Sequence, residues 1–169
     1  MLAHSALTEN GLQAPASETG MRDFPPMPKK FPNINVLIVD DEPLIRWSLS
    51  ETLGEQGYSV LEAGDGRGAV EALTQSAHPV DVVLLDYRLP DSNALTLLAT
   101  IRAVSPRSRV VLMTAFGTPE IAIEALQLGA VCVVNKPLDM HDVVDLVSRA
   151  NSTSVSPGGS SPSVRAPLY

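Results

Sequence analysis

Ile34-Asn35-Val36-Leu37-Ile38-Val39-Asp40-Asp41 is a short, almost continuous apolar run that stops at two carboxylates, and Val80-Asp81-Val82-Val83-Leu84-Leu85-Asp86 repeats the pattern. Runs without polar alternation imply burial on both faces, the environment of a parallel strand covered by helices. Arg109-Val110-Val111-Leu112-Met113 ends at Thr114, Val131-Cys132-Val133-Val134 ends at Asn135-Lys136, and a weaker run from Tyr58 to Ala63 follows Gly57. Helical patterns fill the gaps, over 43–56, 66–77, 93–104, 118–128 and 139–150. Leu44, Trp47, Leu49 and Leu53 fall near helical spacing in the first of these, which makes Trp47 an expected core or half-buried residue. Pro43 suits a first turn, Thr118-Pro119-Glu120 and Asp139 are helix starts, and Gly129 is a stop.

Five strands alternating with five helices predict an α/β fold: a doubly wound, flavodoxin-like (βα)5 parallel sheet of order 2-1-3-4-5 with right-handed crossovers. The folded unit is expected at 34–150. Residues 1–33 lack a sustained apolar period and finish in Phe24-Pro25-Pro26-Met27-Pro28-Lys29-Lys30-Phe31-Pro32, so they are expected to form a disordered N-terminal extension. Residues 151–169 hold six Ser, three Pro and two Gly, the composition of a flexible tail or a truncated linker.

Charge and composition narrow the function. The chain has 169 residues and a formal charge of -7, and the 34–150 segment carries sixteen Asp/Glu against eight Lys/Arg. That balance argues against a direct nucleic-acid surface, which needs a basic stripe. No run approaches the roughly 18 apolar residues of a membrane span, and Met1-Leu2-Ala3-His4-Ser5 does not open a signal peptide. A cytoplasmic protein without a membrane partner is expected. The lone Cys132 cannot form an intramolecular disulfide and reads as an inert buried thiol. His4, His78 and His141 do not pair at metal spacing.

The polar residues that end the strands are the informative ones. Asp40, Asp41, Asp86, Thr114 and Lys136 each sit at or just past the carboxyl end of an apolar run. In a sheet of this order those ends open onto one crevice, and the first and third strands are neighbours. Two carboxylates about 4 Å apart repel by about 4 kcal/mol at an effective dielectric of 20, a large fraction of a domain's stability of about 5–15 kcal/mol. Such a cluster needs protons or a cation. An all-oxygen donor set suits a hard ion such as Mg2+, which keeps waters and phosphate oxygens in its shell. Lys136 adds a point charge suited to a phosphoryl oxygen or to Asp86 itself.

Asp40-Asp41-Glu42-Pro43, Leu84-Leu85-Asp86-Tyr87-Arg88-Leu89-Pro90-Asp91, Met113-Thr114-Ala115 and Asn135-Lys136-Pro137, in this order and spacing, resemble the receiver domains of two-component response regulators across 34–150. The stretch Asp40 to Leu49 is most similar to the nitrogen-regulatory, NtrC-like subfamily. The resemblance implies that Asp86 is the phosphoacceptor, attacking the phosphohistidine of a sensor histidine kinase. It implies that Asp41 and Asp86 are side-chain Mg2+ ligands, with Asp40 nearby through water and Arg88 offering its backbone carbonyl. Lys136 would pair with the phosphoryl group, Thr114 would supply the switch hydroxyl, and the Lys136-Pro137 bond would be cis. Phosphorylation would bias the surface of the fourth helix, fifth strand and fifth helix toward a second copy or a downstream effector. No enzyme beyond self-phosphorylation and dephosphorylation is implied.

Two departures from the family pattern stand out. Ser92-Asn93-Ala94 replaces an acidic-or-Ser then Gly pair, and Ala94 in place of Gly predicts a reshaped turn after Pro90. Val133 stands where many receivers carry a rotating aromatic residue. Both keep an alternative alive: a pseudo-receiver that binds partners without phosphotransfer. An aspartate-nucleophile phosphohydrolase would want a second acid where Arg88 stands, and a nucleotide binder would want a Gly-rich loop after the first strand. Taken singly, Asp40-Asp41 reads as a capping pair, Asp86 as a turn residue and Lys136 as a surface charge. The chain has no G-x-x-x-x-G-K-[ST] motif, so direct transcription control by this stretch is not expected.

Overall fold

The computed structural model describes residues 34–152. Five strands alternate with five helices: β1 (Asn35–Val39), α1 (Pro43–Glu55), β2 (Ser59–Ala63), α2 (Gly66–Gln75), β3 (Val82–Asp86), α3 (Ala94–Val104), β4 (Arg109–Thr114), α4 (Pro119–Gln127), β5 (Ala130–Asn135) and α5 (Met140–Ser152). All pairings are parallel and the order is β2-β1-β3-β4-β5, as expected.

Successive side chains of a strand point to opposite faces, and both faces are covered. Leu37, Val39, Val83, Leu85, Val110 and Leu112 pack with Ala69 of α2, Leu98 and Ile101 of α3 and Ala125 of α4. Val36, Ile38, Val82, Leu84, Val111 and Met113 pack instead with Leu49 and Leu53 of α1 and Val143 and Val147 of α5. This two-sided burial is why the central strands read as unbroken apolar runs.

Helix ends are set by side chains that take the otherwise unpaired amides of the first turn. Asp65 Oδ1 accepts from the Gly68 N–H (2.7 Å), Asn93 Oδ1 from Leu95 (2.9 Å), Thr118 Oγ1 from Ile121 (3.4 Å) and Asp139 Oδ1 from His141 (2.9 Å). Gly129, with φ of +99°, turns the chain from α4 into β5 in a conformation open to glycine.

Four sequence expectations are corrected. Trp47 is 62% and Leu44 79% exposed. At 100° per residue the buried stripe of α1 is Ile45, Leu49 and Leu53, and Trp47 lies on the far side. Cys132 is half-buried, because β5 is an edge strand; what burial it has raises the thiol pKa, against a smaller opposite effect of Arg149. Ala94 occupies the first turn of α3 and is buried, so no left-handed residue is required there. Asn151 and Ser152 belong to α5 rather than to a tail, with the Ser152 hydroxyl donating to the Ser148 carbonyl at 2.9 Å. The assignments made for 1–33 and 153–169 lie outside the described residues.

Candidate functional site

Strand register brings the polar residues together. Val39 pairs with Leu85, which sets Asp40 beside Asp86; Asp86 pairs with Met113 and Thr114 with Asn135. Three backbone bonds continue the ladder past the strand ends: Asp40 N–H to the Ala63 carbonyl (3.1 Å), Tyr87 N–H to Met113 (2.7 Å) and Lys136 N–H to Thr114 (2.8 Å). The cluster is thus assembled by the main chain of four strands.

Asp40, Asp86 and Thr114 are buried at the floor. The Lys136 Nζ donates to Asp40 Oδ2 at 2.6 Å and stands 3.1 Å from Asp86 Oδ2 and 4.0 Å from Glu42 Oε1. Asp40 also accepts the Glu42 N–H at the start of α1 through its other oxygen, at 2.9 Å, so it serves as both helix brace and lysine partner. Asp41 is exposed at the rim, and carboxylate oxygens of Asp40, Asp41 and Asp86 lie within 4.8 Å of one another. The Lys136-Pro137 bond is cis. The Phe116 N–H donates to Thr114 Oγ1 at 3.2 Å, and the Arg88 guanidinium lies over the Phe116 ring, 5.1 Å from its centroid, at the mouth.

One contributor escaped the sequence reading. Arg46 Nη1 donates to the Asp40 carbonyl at 2.7 Å while Nε stands 3.6 Å from Glu62 Oε2 on β2. A cation on a helix ordinarily reads as a solvated charge; only its position four residues beyond an N-cap, above a neighbouring strand, hinted at a brace.

Electrostatics follow from this geometry. Burial raises the Asp86 carboxyl above the ordinary aspartate range; Lys136 opposes the rise and Asp40 adds to it. Burial also disfavours the Lys136 ammonium, but its hydrogen bond to Asp40 and the charges of Asp86 and Asp40 outweigh that and hold its pKa above the ordinary lysine value. Three carboxyl groups face one ammonium, and all the ligand atoms offered are oxygen. That set fits a hard divalent cation.

A raised folded pKa has a defined consequence. Asp86 binds its proton more tightly in the folded than in the unfolded chain, so its ionisation costs stability as pH rises from the ordinary aspartate range through the raised value. In metal-free buffer Asp86→Asn is therefore expected to melt higher than wild type at neutral pH, with the gain shrinking in acid. Thermal unfolding from about pH 4 to about pH 8 reads this, and a gain independent of pH would contradict it.

Comparison with known proteins identifies the family. The model of the response regulator receiver domain matches residues 36–148. The chain is 41% identical over 115 residues to the regulatory protein AtoC of Escherichia coli (strain K12), covering 68% of this chain and 24% of AtoC. It is 32% identical over 117 residues to sporulation initiation phosphotransferase F of Bacillus subtilis (strain 168), covering 69% and 93% respectively. Among solved structures, the solution structure of the beryllofluoride-activated NtrC4 receiver domain dimer aligns with a TM-score of 0.64 at 31% identity, covering 69% of this chain and 94% of that one. The chain therefore spans about a quarter of AtoC and nearly all of the Bacillus protein.

Proposed function

The chain belongs to the response regulator receiver family, a signalling domain of two-component systems with NtrC-like relatives, and on that premise we propose that Asp86 accepts a phosphoryl group from a sensor histidine kinase. The observation that carries this reading is the Lys136 ammonium bridging two buried carboxylates, at 2.6 and 3.1 Å, with Asp41 at the same cluster.

In the transfer, a carboxylate oxygen of Asp86 forms a bond to phosphorus as the phosphorus–nitrogen bond of the donor imidazole breaks, and the imidazole keeps the electron pair. Asp86 needs its ionised form for this, and Lys136 favours that form against the effect of burial. Mg2+, held by the carboxylates of Asp41 and Asp86 with Asp40 nearby and the Arg88 carbonyl, would neutralise phosphoryl oxygen charge. Lys136 pairs with another phosphoryl oxygen. Thr114 turns its hydroxyl from the loop that holds Phe116 toward the new phosphoryl group. The work is positioning and charge stabilisation rather than acid–base chemistry.

The donor must approach over the rim. Leu44 and Trp47 are exposed on α1, and a cleft of ≈ 440 Å³ beside Lys136 is lined by Ile45, Pro137, Leu138 and Met140. These surfaces offer apolar contact to a kinase. The output face is α4, β5 and α5, where Ile123 and Leu128 are exposed; a second copy or a downstream effector would bind there. Val133, half-buried on β5, moves little volume, so the signal would pass through the β4–α4 loop. Among the described residues no helix is long and apolar enough to cross a membrane.

Mg2+ titration tests the cation site. Binding only to the native state stabilises by RT ln(1 + [L]/Kd), about 2.7 kcal/mol at a hundredfold excess over Kd. The melting temperature is expected to climb with Mg2+ in the wild type and to respond weakly in Asp41→Ala. Equal responses would remove Asp41 from the site, and no response in either would remove the site.

A further inference from the structure

The loop from Asp86 to Asn93 is tied down at both ends. On one side the Tyr87 N–H bonds to the Met113 carbonyl on β4. On the other, Asp91 reaches α2: Oδ1 accepts the Gly66 N–H at 2.8 Å and Oδ2 the Arg67 N–H at 3.1 Å, while the Ser92 hydroxyl donates to Oδ1 at 3.0 Å. A bridge between Arg88 and Asn93 closes the base of the loop. The approach is close. A Cβ on Gly66 would fall 2.3 Å from Ser92 Oγ and 3.0 Å from its Cβ, so α2 begins with a glycine where the loop rests on it. The first amides of α2 are shared between two carboxylates: Asp65, its own N-cap, takes Gly68, and Asp91, from the loop, takes Gly66 and Arg67. The Gly66 bond above all holds the Asp91 carboxyl below the usual aspartate range.

We propose that Asp91 is a positioning residue for the cation cluster: by fastening the loop to the N-terminus of α2 it fixes the main chain at Arg88, and so sets how tightly the site holds a divalent ion. This rests on the reading of Asp40, Asp41 and Asp86 as a Mg2+ site with the Arg88 carbonyl as a ligand. A carbonyl held in place before the ion arrives needs no ordering on binding, which is how outer partners of a metal site raise affinity. Asp91 itself is exposed and stands outside the acidic cluster, so it acts through the loop and not as a ligand.

The test compares two caps of one helix. Mg2+ affinity is measured by calorimetry on the full chain for wild type, Asp91→Ala, Asp91→Asn and Asp65→Ala, with amide exchange of residues 87–93 followed in metal-free protein. Asp91→Ala should weaken Mg2+ binding by about tenfold and speed exchange across the loop. Asp91→Asn, which keeps one acceptor oxygen, should fall between it and wild type. Asp65→Ala removes the same charge and a cap of the same helix, so it should lower the melting temperature but leave Mg2+ affinity near wild type. Wild-type affinity in Asp91→Ala, or an equal loss in Asp65→Ala, would overturn the assignment. Absence of Mg2+ binding in the wild type would instead overturn the cation site on which the proposal rests, and the exchange data would still report whether Asp91 holds the loop.

Discussion

Lys136→Met is expected to destabilise the metal-free domain by about 3 kcal/mol, the low end of the cost of breaking a buried ion pair by removing one partner. The lysine is the cation that Asp40 and Asp86 share, and the side chains of all three groups are at least 88% buried. The methionine fills similar space but leaves two carboxylates facing each other without a counter-charge. The loss stays at the low end because Asp86, already inclined to protonate, can take up a proton. Urea unfolding at neutral pH measures it. Mg2+ should recover more stability in this variant than in wild type, since no resident ammonium then holds the Asp40 and Asp86 oxygens against the ion. Wild-type stability in Lys136→Met would mean that the lysine does not neutralise the pair.

Asp86→Asn is expected to abolish phosphorylation while leaving the fold in place. The amide matches the carboxylate in shape but offers no anionic oxygen to attack phosphorus. The side chain sits at the end of β3 on a sheet whose core it does not enter, so secondary structure should be retained. Incubation with a small acyl-phosphate donor and Mg2+ should add a hydroxylamine-sensitive phosphoryl group to the wild type and nothing to the variant. Labelling of the variant to the wild-type extent would assign the acceptor elsewhere.

Much of this was legible in the residues themselves. Parallel strands buried on both faces leave an unmistakable trace, and β1, β3 and β4 each end where their apolar run ends, β1 one residue before Asp40 and the other two at Asp86 and Thr114. The convergence of those residues with Lys136 required only the strand order. Less visible was which side of a helix faces inward. Leu44 and Trp47 are as apolar as Leu49 and Leu53, and only the packed sheet decides that 45, 49 and 53 form the buried stripe. Cys132 illustrates a related limit: an edge strand and a central strand can share a composition, and exposure depends on order in the sheet. Arg46 and Asp91 were invisible as braces because each acts on backbone atoms of a distant element, Arg46 on the Asp40 carbonyl and Asp91 on the α2 amides. Such contacts leave no periodic signature. Ala94 in place of Gly suggested a reshaped turn, whereas Asn93 caps α3 through Leu95 and Thr96 and lets Ala94 begin the helix.

The most direct measurement is site mapping of the phosphorylated wild-type chain. After reaction with an acyl-phosphate donor, borohydride reduction and proteolysis, the modified residue is identified by mass spectrometry with and without Mg2+. One modification is expected, on Asp86 and dependent on Mg2+. An unmodified chain under conditions where Mg2+ is bound, or a modification at any other aspartate, would contradict it.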